Sequence, residues 1–244
     1  MLSKTKIKYI QSLGQKKFRD AESLFIAEGP KIVDEMLNSS AIVIKEIFAI
    51  KDWFSKNPLL PGHIEITEVS DTELEKISQL VTPNMVLAII QKLDSISLEP
   101  ASGTITLALD TIQDPGNLGT IIRIADWFGV KQIICSPECA DLYSPKVIQS
   151  TMGSITRIKV CYDDLEKWIL DQKDAALYIT ALDGQDIRTM DKISGGIIVI
   201  GNESKGVSKK LSGISHKKIT IPGRGGAESL NAAVATGIIL SHIT

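Results

Sequence analysis

The sequence predicts an α/β protein of two domains. Strand-like apolar runs alternate with segments of helical spacing along the 244 residues, which is the pattern of α/β folds. In the second half, runs such as Thr104–Asp110 are almost continuously apolar, as is typical of parallel sheets covered on both faces. Residues 92–103, rich in Ser, Pro and Gly, interrupt the pattern and predict a linker. We therefore expect a small N-terminal domain over residues 1–95 and a second domain over residues 103–244.

The N-terminal domain is expected to begin with a helix, because Ile7, Ile10, Leu13 and Phe18 recur at roughly helical spacing. Ser70 and Glu73 form a capping-box pattern that opens a later helix. In order, the other expected elements are a strand at Ser23–Ala27, a helix carrying Ile32, Val33, Met36 and Leu37, strands at Ile42–Ile50 and Ile64–Val69, a helix with Leu74, Ile77 and Leu80 on its inner face, and a strand at Met85–Ile90.

The second domain is expected to resume the alternation after the linker. Ser144 and Pro145 predict a helix start, with serine as the N-cap and proline at the first helical position. In order, the expected elements are a strand at Thr104–Asp110, a helix at Asn117–Phe128 ended by Gly129, strands at Lys131–Cys135, Leu177–Leu182, Ile197–Ile200 and Lys218–Ile221, and a last helix from about Ser229 to His242.

Charge is distributed unevenly along the chain. The 27 Lys and Arg residues against 29 Asp and Glu residues give a net charge of −2, which excludes a globally basic nucleic-acid coat. Residues 1–20 nevertheless hold six basic residues against one acid, and residues 205–224 hold six basic residues and no acid. Each cluster alone could be a solvated helix face. Because there are two, near candidate functional loops, they favour a polyanionic partner.

Composition and cysteine usage indicate a soluble, cytoplasmic protein without membrane or metal partners. The longest apolar runs, such as Met85–Ile90, are too short to cross a bilayer, and no signal-peptide pattern opens the chain. Three cysteines cannot form a fully paired disulfide framework. Cys135 and Cys139 have C-x3-C spacing with no histidine near them in sequence, so free thiols are a better interpretation than a zinc site.

Three glycine-containing loops follow predicted strands: Thr111–Gly119, Gly201–Ser208 and Pro222–Ser229. Ligands of open parallel sheets bind beyond the carboxyl ends of the strands, and glycine lets the backbone approach a ligand closely. The usual nucleotide fingerprints are absent, because Val207 stands where a P-loop requires lysine and Glu228 stands where a dinucleotide turn requires its third glycine. No G-x-S-x-G or H-E-x-x-H pattern occurs.

These loops carry polar side chains but no titrating nucleophile. Arg123 lies six residues after Asn117 in an otherwise apolar helical stretch. A cation in such a place needs either a structural salt-bridge partner or an anionic ligand, and both interpretations stay open. The polar set comprises Asn117, Arg123, Asn202, Glu203, Glu228, Ser229 and Asn231.

Three sequence motifs lie in and after these loops. They read Asp114-Pro-Gly-Asn117-Leu-Gly119-x3-Arg123-x-Ala125, Ile200-Gly-Asn-Glu203-x2-Gly206 and Ile221-Pro222-x5-Glu228-Ser-Leu-Asn231-x3-Ala235. They resemble the three motifs of the SpoU (TrmH-type) RNA ribose 2′-O-methyltransferases of the SPOUT superfamily, and they appear in the family's order over roughly residues 105–241. The N-terminal segment is similar to the family's substrate-binding domain at shorter, scattered identities, including Lys17-Phe18-Arg19 and Glu28-Gly29.

The resemblance implies a trefoil knot in the parallel-sheet domain, a homodimer, and S-adenosylmethionine as cofactor. It implies cofactor contacts from Gly201, Ile221 and Leu230, which offer close backbone approach and an apolar seat for adenine. It also implies that Arg123 acts on the ribose 2′-hydroxyl while Asn117, Ser229 and Asn231 position it. Glu203 either takes part in catalysis or orients the loops.

The resulting function hypothesis is methylation of a ribose 2′-hydroxyl in structured RNA, with ribosomal RNA as the expected substrate. The basic cluster at Lys16, Lys17 and Arg19 is expected to bind that RNA. A transfer-RNA ribose methylase and a non-catalytic RNA-binding or assembly factor remain as alternatives. The third motif reads Ile-Pro-Gly-Arg where many family members read Ile-Pro-Met, and whether Arg224 alters RNA contacts or the shape of the pocket stays open.

Overall fold

The computed structural model describes residues 1–57, 60–93 and 97–244. The chain divides into two compact units, Met1–Asp94 with Asp141–Thr156, and Ser95–Ala140 with Arg157–Thr244. Residues 94–96 of the predicted linker lie outside the described residues. The proposed domain boundaries stay a prediction, but residues 141–156, which they assign to the second domain, pack with the first unit.

The first unit is a four-stranded mixed sheet with helices. Its order is β1-β4-β2-β3, with β4 antiparallel to both β1 and β2, and β3 parallel to β2. Phe25, Phe48 and Trp53 are fully buried in its core. Its elements are α1 (Lys4–Ser12), α2 (Lys16–Glu22), β1 (Leu24–Glu28), α3 (Pro30–Leu37), β2 (Ile44–Ala49), α4 (Lys51–Lys56), β3 (Glu65–Glu68), α5 (Asp71–Ile77), β4 (Val86–Gln91) and α7 (Pro145–Thr151).

The second unit is a six-stranded sheet in which every pair of neighbouring strands is parallel. The strand order is β10-β8-β9-β5-β6-β7, and the predicted parallel sheet is confirmed. Its elements are β5 (Ile105–Leu109), α6 (Pro115–Trp127), β6 (Gln132–Cys135), β7 (Lys159–Tyr162), α8 (Leu165–Asp171), β8 (Leu177–Asp186), β9 (Gly196–Ile200), α9 (Lys209–Ser212), β10 (Lys217–Thr220) and α10 (Ala232–Ile243).

Two predicted helix starts are confirmed by their caps. The Ser70 side chain accepts a hydrogen bond from the Glu73 backbone N–H while the Glu73 carboxylate accepts one from Ser70 N–H, which completes the capping box of α5. Ser144 likewise caps α7, with Pro145 at the first helical position. These caps are short-range contacts, which explains why the sequence pattern suffices to find them.

Other boundaries differ from the prediction. The sequence pattern missed α4, β7, α8 and α9, all of which have seven residues or fewer, too short to show a clear period. The first predicted helix is two helices separated by a turn at Gly14, and α10 begins at Ala232 instead of Ser229. In the parts of the chain that the structure describes, no helix is both long and apolar enough to span a membrane.

Candidate active site

Three loops meet the carboxyl edge of the six-stranded sheet. They follow β5, β9 and β10, which run parallel within one sheet. Because parallel strands end at the same edge, the three loops leave the sheet on one side, which is where α/β sheets bind ligands. Here they contain residues 110–114, 201–208 and 221–231.

A hydrogen-bond network joins a polar side chain at the start of α6, directly after the first loop, to one polar side chain from each of the other two loops. The Asn117 Nδ2 amide donates to Glu203 Oε1. Asn231 Nδ2 donates to Asn117 Oδ1 at 2.8 Å. The amide of Asn117 is therefore held from both ends, which fixes its orientation. The structure thus brings together three of the five predicted catalytic residues.

Asn231 has a second role as the N-cap of α10. Its Oδ1 accepts hydrogen bonds from the backbone N–H groups of Ala233 at 3.0 Å and Val234 at 3.2 Å. In this way Oδ1 satisfies two backbone N–H groups that have no partner within the helix. The Nδ2 group of the same side chain remains available to donate to Asn117. The start of α10 is thereby tied to the network.

Asn117 is positioned by the first turn of α6. Asp114 is the N-cap of this helix, and its Oδ1 accepts from the Asn117 backbone N–H at 2.8 Å. Pro115 occupies the first helical position, where its missing N–H costs nothing. The helix therefore starts two residues before Asn117, which is the start that the sequence predicts. Asn117 consequently lies in the first turn, at the N-terminal end of the helix.

The loop after β9 is folded on itself around Asn202. Asn202 and Gly206 exchange two backbone hydrogen bonds of 3.1 and 2.8 Å. The Asn202 side chain accepts from the N–H groups of Ser204 and Lys205 and donates to the Thr111 carbonyl at 3.0 Å. This side chain therefore closes its own loop and links it to the loop after β5.

The buried carboxylate of Asp110 anchors the far end of the same loop. Its Oδ2 accepts from the Ser208 backbone N–H at 2.7 Å, and only 6% of the residue is exposed. Sequence reasoning assigned Asp110 no role. The available signal was a lone carboxylate at the end of an apolar strand, which needs a partner when buried.

Gly201 is required by the loop itself. A Cβ added there would lie 2.4 Å from the Gly206 carbonyl carbon and 2.4 Å from the Val207 nitrogen. From the sequence, this glycine is predicted to permit close approach of a ligand. The close approach in the structure is instead between two parts of one loop, so any effect of Gly201 on a ligand acts through the shape of the loop.

Arg123 is not part of the network. Its neighbours Ile121 and Ile122 are buried, whereas Arg123 is exposed, so the residues that are apolar beside it in sequence do not bury it in the fold. Six residues of α-helix place it about 120° around and about 9 Å along α6 from Asn117. Among the residues described, Arg123 has neither an ion-pair nor a hydrogen-bond partner. The structural salt-bridge interpretation therefore finds no support.

Of the three predicted cofactor residues, Gly201 lies in the loop after β9, and Ile221 and Leu230 lie in the loop after β10. Residues 223–231 are all exposed, and Ile221 is partly buried. Leu230 is 45% exposed, and a Cβ added to Gly223, Gly225 or Gly226 would meet nothing within 4 Å. Accessible apolar side chains beside open backbone suit a planar, partly apolar group such as adenine. The residues present therefore fit the cofactor that the sequence implies. Ser229 is exposed in the same loop, outside the Asn117 network.

The predicted RNA-binding residues of the first unit separate into two kinds. Lys16 and Lys17 are exposed. Arg19 is only 2% exposed, and its guanidinium forms a 2.5 Å ion pair with Asp141 and donates to the Leu13 carbonyl at 2.9 Å. The prediction that Arg19 contacts RNA is therefore corrected, because a buried and paired guanidinium holds the protein fold together and does not face solvent.

The three cysteines are free thiols. The hydrogen bond between Cys135 and Cys139 raises the pKa of Cys135, whose burial raises it further, and lowers the pKa of Cys139. Cys139 Sγ also accepts from the Ile112 backbone N–H at 3.2 Å. Over the described ranges, no group of three His, Cys, Asp or Glu residues is placed to hold a metal ion.

Family models match both parts of the chain. The SpoU rRNA Methylase family model matches residues 104–241. A model of the MRM3-like substrate binding domain matches residues 4–88. Together the two models account for most of both predicted domains.

Similar proteins match over almost the whole chain. A 23S rRNA (guanosine(2553)-2′-O)-methyltransferase, RlmP of Bacillus subtilis, is 31% identical, with 98% of this chain and 95% of that protein covered. The crystal structure of an AdoMet-bound rRNA methyltransferase from Sinorhizobium meliloti superposes with a TM-score of 0.86 at 33% identity, covering 100% of this chain and 96% of the other. An RNA 2′-O ribose methyltransferase superposes equally well at 22% identity, covering 99% and 95%, and shows the same fold.

Proposed function

Because this chain belongs to the SpoU rRNA methylase family, we propose that it transfers a methyl group from S-adenosylmethionine to a ribose 2′-hydroxyl of ribosomal RNA. The observation that carries this proposal is the network in which Asn117, Glu203 and Asn231 join all three family motifs. The N-terminal match to a substrate-binding domain favours ribosomal RNA over transfer RNA.

The chemistry requires a precisely held hydroxyl and stabilisation of the charge that develops on its oxygen. Bound S-adenosylmethionine supplies an electrophilic methyl group. Asn117 and Asn231 each retain one Nδ2 hydrogen beyond the network, and we propose that these groups orient the ribose. The Glu203 carboxylate keeps the Asn117 amide turned toward the substrate side. The exposed Ser229 hydroxyl contributes to positioning from the neighbouring loop.

We propose that Arg123 stabilises the negative charge that develops on the ribose oxygen while solvent water accepts the hydroxyl proton. The planar fork of N–H groups on an arginine side chain suits an oxyanion or a phosphate. Its exposed guanidinium has no partner within the described chain, so it is free to engage substrate.

We place cofactor binding at the loops after β9 and β10. Gly201 gives the first loop its closed shape, while Ile221 and Leu230 offer apolar surface to the adenine ring. In this arrangement the backbone groups of both loops, more than any single side chain, would determine affinity for S-adenosylmethionine.

We also propose a homodimer formed through the exposed apolar face of α6 and α10. Trp127 is 85% exposed and Val234 51% exposed, on two helices that pack against each other. Large exposed apolar side chains on adjacent helices are typical of interfaces. Arg123 lies one turn from Trp127 on α6, so in the dimer this interface would influence what the guanidinium contacts. Light scattering should give twice the chain mass, and Trp127→Glu with Val234→Glu should give monomers.

The trefoil knot in the second unit remains part of this proposal. It is supported by the family model that matches residues 104–241 and by the superposition on an rRNA methyltransferase structure. In the same unit, residues Gln185 and Asp186 of the long strand β8 pair with Ile219 and Thr220 of β10 after a shift in register. Gly184 lies so close to β10 that a Cβ there would be 2.5 Å from the Ile219 carbonyl carbon. We further propose a cytoplasmic location, since free cysteines are usual in reducing compartments.

The decisive experiment incubates the purified chain with S-adenosylmethionine carrying a labelled methyl group and with unmodified 23S rRNA transcript. We expect label in the RNA and a new 2′-O-methyl site, with the position equivalent to guanosine 2553 as the first to examine. A parallel reaction with transfer-RNA transcripts tests the alternative substrate. Failure to bind S-adenosylmethionine in calorimetry would instead favour the non-catalytic alternative.

A further inference from the structure

The structure divides the basic segment, residues 205–224, into two groups of cations. Lys210 pairs with Glu166 at 2.8 Å, and Lys218 pairs with Asp183 at 2.7 Å. Lys217 lies over the Tyr178 ring, 5.8 Å from its centroid. We call these three lysines the paired set. The other three cations are Lys205, Lys209 and Arg224, which we call the unpaired set.

The side chains of the unpaired set are exposed to solvent. All three residues are exposed, and among the described residues none of them has an ion-pair or ring partner. Neutralised cations contribute little to the attraction of a polyanion, whereas unpaired ones keep their full charge. Of the six cations, Lys210 and Lys218 are therefore compensated by acids, Lys217 keeps its charge but is held over an aromatic ring, and the three residues of the unpaired set keep their charge without such a contact among the described residues.

The unpaired set borders the proposed active site. Lys205 lies in the loop after β9, where its backbone N–H is held by Asn202 Oδ1 at 3.2 Å. Lys209 begins α9 directly after that loop, and Arg224 lies in the exposed loop after β10. One strand, β8, separates β9 from β10, so the two loops leave the sheet about 10 Å apart. They leave it at the same edge as the Asn117 network.

The surroundings of these cations suit a phosphodiester backbone. Gly223 and Gly225 flank Arg224, and a Cβ at either position would meet nothing within 4 Å, so a bulky polyanion can approach closely. The two acids in these loops, Glu203 and the exposed Glu228, carry two negative charges against the three positive charges of the unpaired set, and the Glu203 carboxylate is turned to the Asn117 amide by a hydrogen bond. The guanidinium of Arg224 can also bind a phosphate through two N–H groups.

We propose that Lys205, Lys209 and Arg224 bind the phosphates that flank the methylated nucleotide, while the paired set makes no such contact. This inference rests on the proposed function, because it assumes that RNA is the substrate. It assigns Arg224, which the family motifs do not explain, a role in holding the RNA strand beside the reacting ribose.

The test compares two triple variants of the full chain, each of which removes three positive charges from one segment. The first is Lys205→Ala/Lys209→Ala/Arg224→Ala, and the control is Lys210→Ala/Lys217→Ala/Lys218→Ala. Filter binding of unmodified 23S rRNA transcript is measured from 0.05 to 0.5 M salt. A third variant, Lys205→Arg/Lys209→Arg/Arg224→Lys, keeps all three charges.

Each single-strand phosphate contact contributes about 0.7 to the steepness with which log affinity falls as log salt rises. We therefore expect the first variant to make this fall less steep by about 2. At 0.1 M salt this corresponds to about 100-fold weaker RNA binding. The RNA affinity of the control should stay within about threefold of the wild-type affinity, which is a difference in binding free energy of under about 1 kcal/mol. The charge-keeping variant should restore most of the slope. S-adenosylmethionine affinity should be unchanged in all three variants.

The inference would be overturned if the two alanine variants lost equal amounts of RNA affinity. It would also be overturned if the salt dependence of RNA binding were unchanged in the first variant. So would loss of S-adenosylmethionine binding in the first variant without rescue by the charge-keeping variant, because the residues would then be supporting loop structure. If wild type methylates no RNA at all, the proposed function itself fails, and this outcome is seen without any variant.

Discussion

Asn117 and Asn231, 114 positions apart in the sequence, are joined side chain to side chain by a hydrogen bond of 2.8 Å. Each side chain also belongs to a helix start, since Asn117 lies in the first turn of α6 and Asn231 caps α10. The contact therefore couples the start of one helix to the start of another, and Glu203 extends this coupling to the loop after β9.

Replacing Asn231 with aspartate separates its two roles. Asn231→Asp keeps an oxygen for the Ala233 and Val234 N–H groups but loses the Nδ2 donor to Asn117. We expect turnover to fall about tenfold or more, because 1.4 kcal/mol corresponds to a factor of ten, with little change in Tm. Asn231→Ala loses the cap as well and should also cost about 1 kcal/mol of unfolding free energy. Full turnover in Asn231→Asp would show that the hydrogen bond has no catalytic importance.

Gly201→Ala should abolish or greatly weaken S-adenosylmethionine binding while the chain stays folded. The new Cβ would collide with the backbone at Gly206 and Val207, so the loop must change shape. Gly201→Val should be at least as severe. Gly225→Ala is the matched control, since a Cβ there meets nothing within 4 Å. Calorimetric titration measures both affinities, and normal affinity in Gly201→Ala would place the cofactor away from this loop.

Arg123→Ala should leave Tm and S-adenosylmethionine affinity nearly unchanged but reduce turnover at least 100-fold, as is typical when a group that stabilises developing charge is removed. The exposed side chain has no described partner to lose. Arg123→Lys should remain impaired, because lysine keeps the charge but not the planar fork. Near-normal methyl transfer by a stably folded Arg123→Ala protein would refute the catalytic role.

Arg19→Met should destabilise the first unit by about 3 kcal/mol, because it leaves the Asp141 carboxylate without its buried partner. Denaturant unfolding measures this change. Lys16→Ala/Lys17→Ala is the comparison, and we expect it to keep full stability while weakening RNA binding and reducing its salt dependence. If Arg19→Met were as stable as wild type and bound RNA as weakly as the lysine variant, Arg19 would be an RNA contact after all.

The sequence alone determined the features that depend on neighbouring residues. The α5 capping box, the proline-started α7 and the apolar strands of a parallel sheet all follow from short-range patterns. Asn117, Glu203 and Asn231 are recognised in sequence as polar residues of the glycine-containing loops, and their place in the site follows from the resemblance to the SpoU family. Residue type and spacing carry this information because helix caps and strand burial are set within a few positions along the chain.

Tertiary structure decided which of these residues meet and which are accessible. Arg19 and Lys17 look alike in a basic cluster, yet only a contact with Asp141, 122 positions away, makes Arg19 a buried structural residue. The six cations of residues 205–224 are likewise divided by partners on other elements, such as Glu166 and Asp183. Burial and ion pairing depend on distances between segments that are remote in sequence, and these distances are fixed only when the sheet has formed.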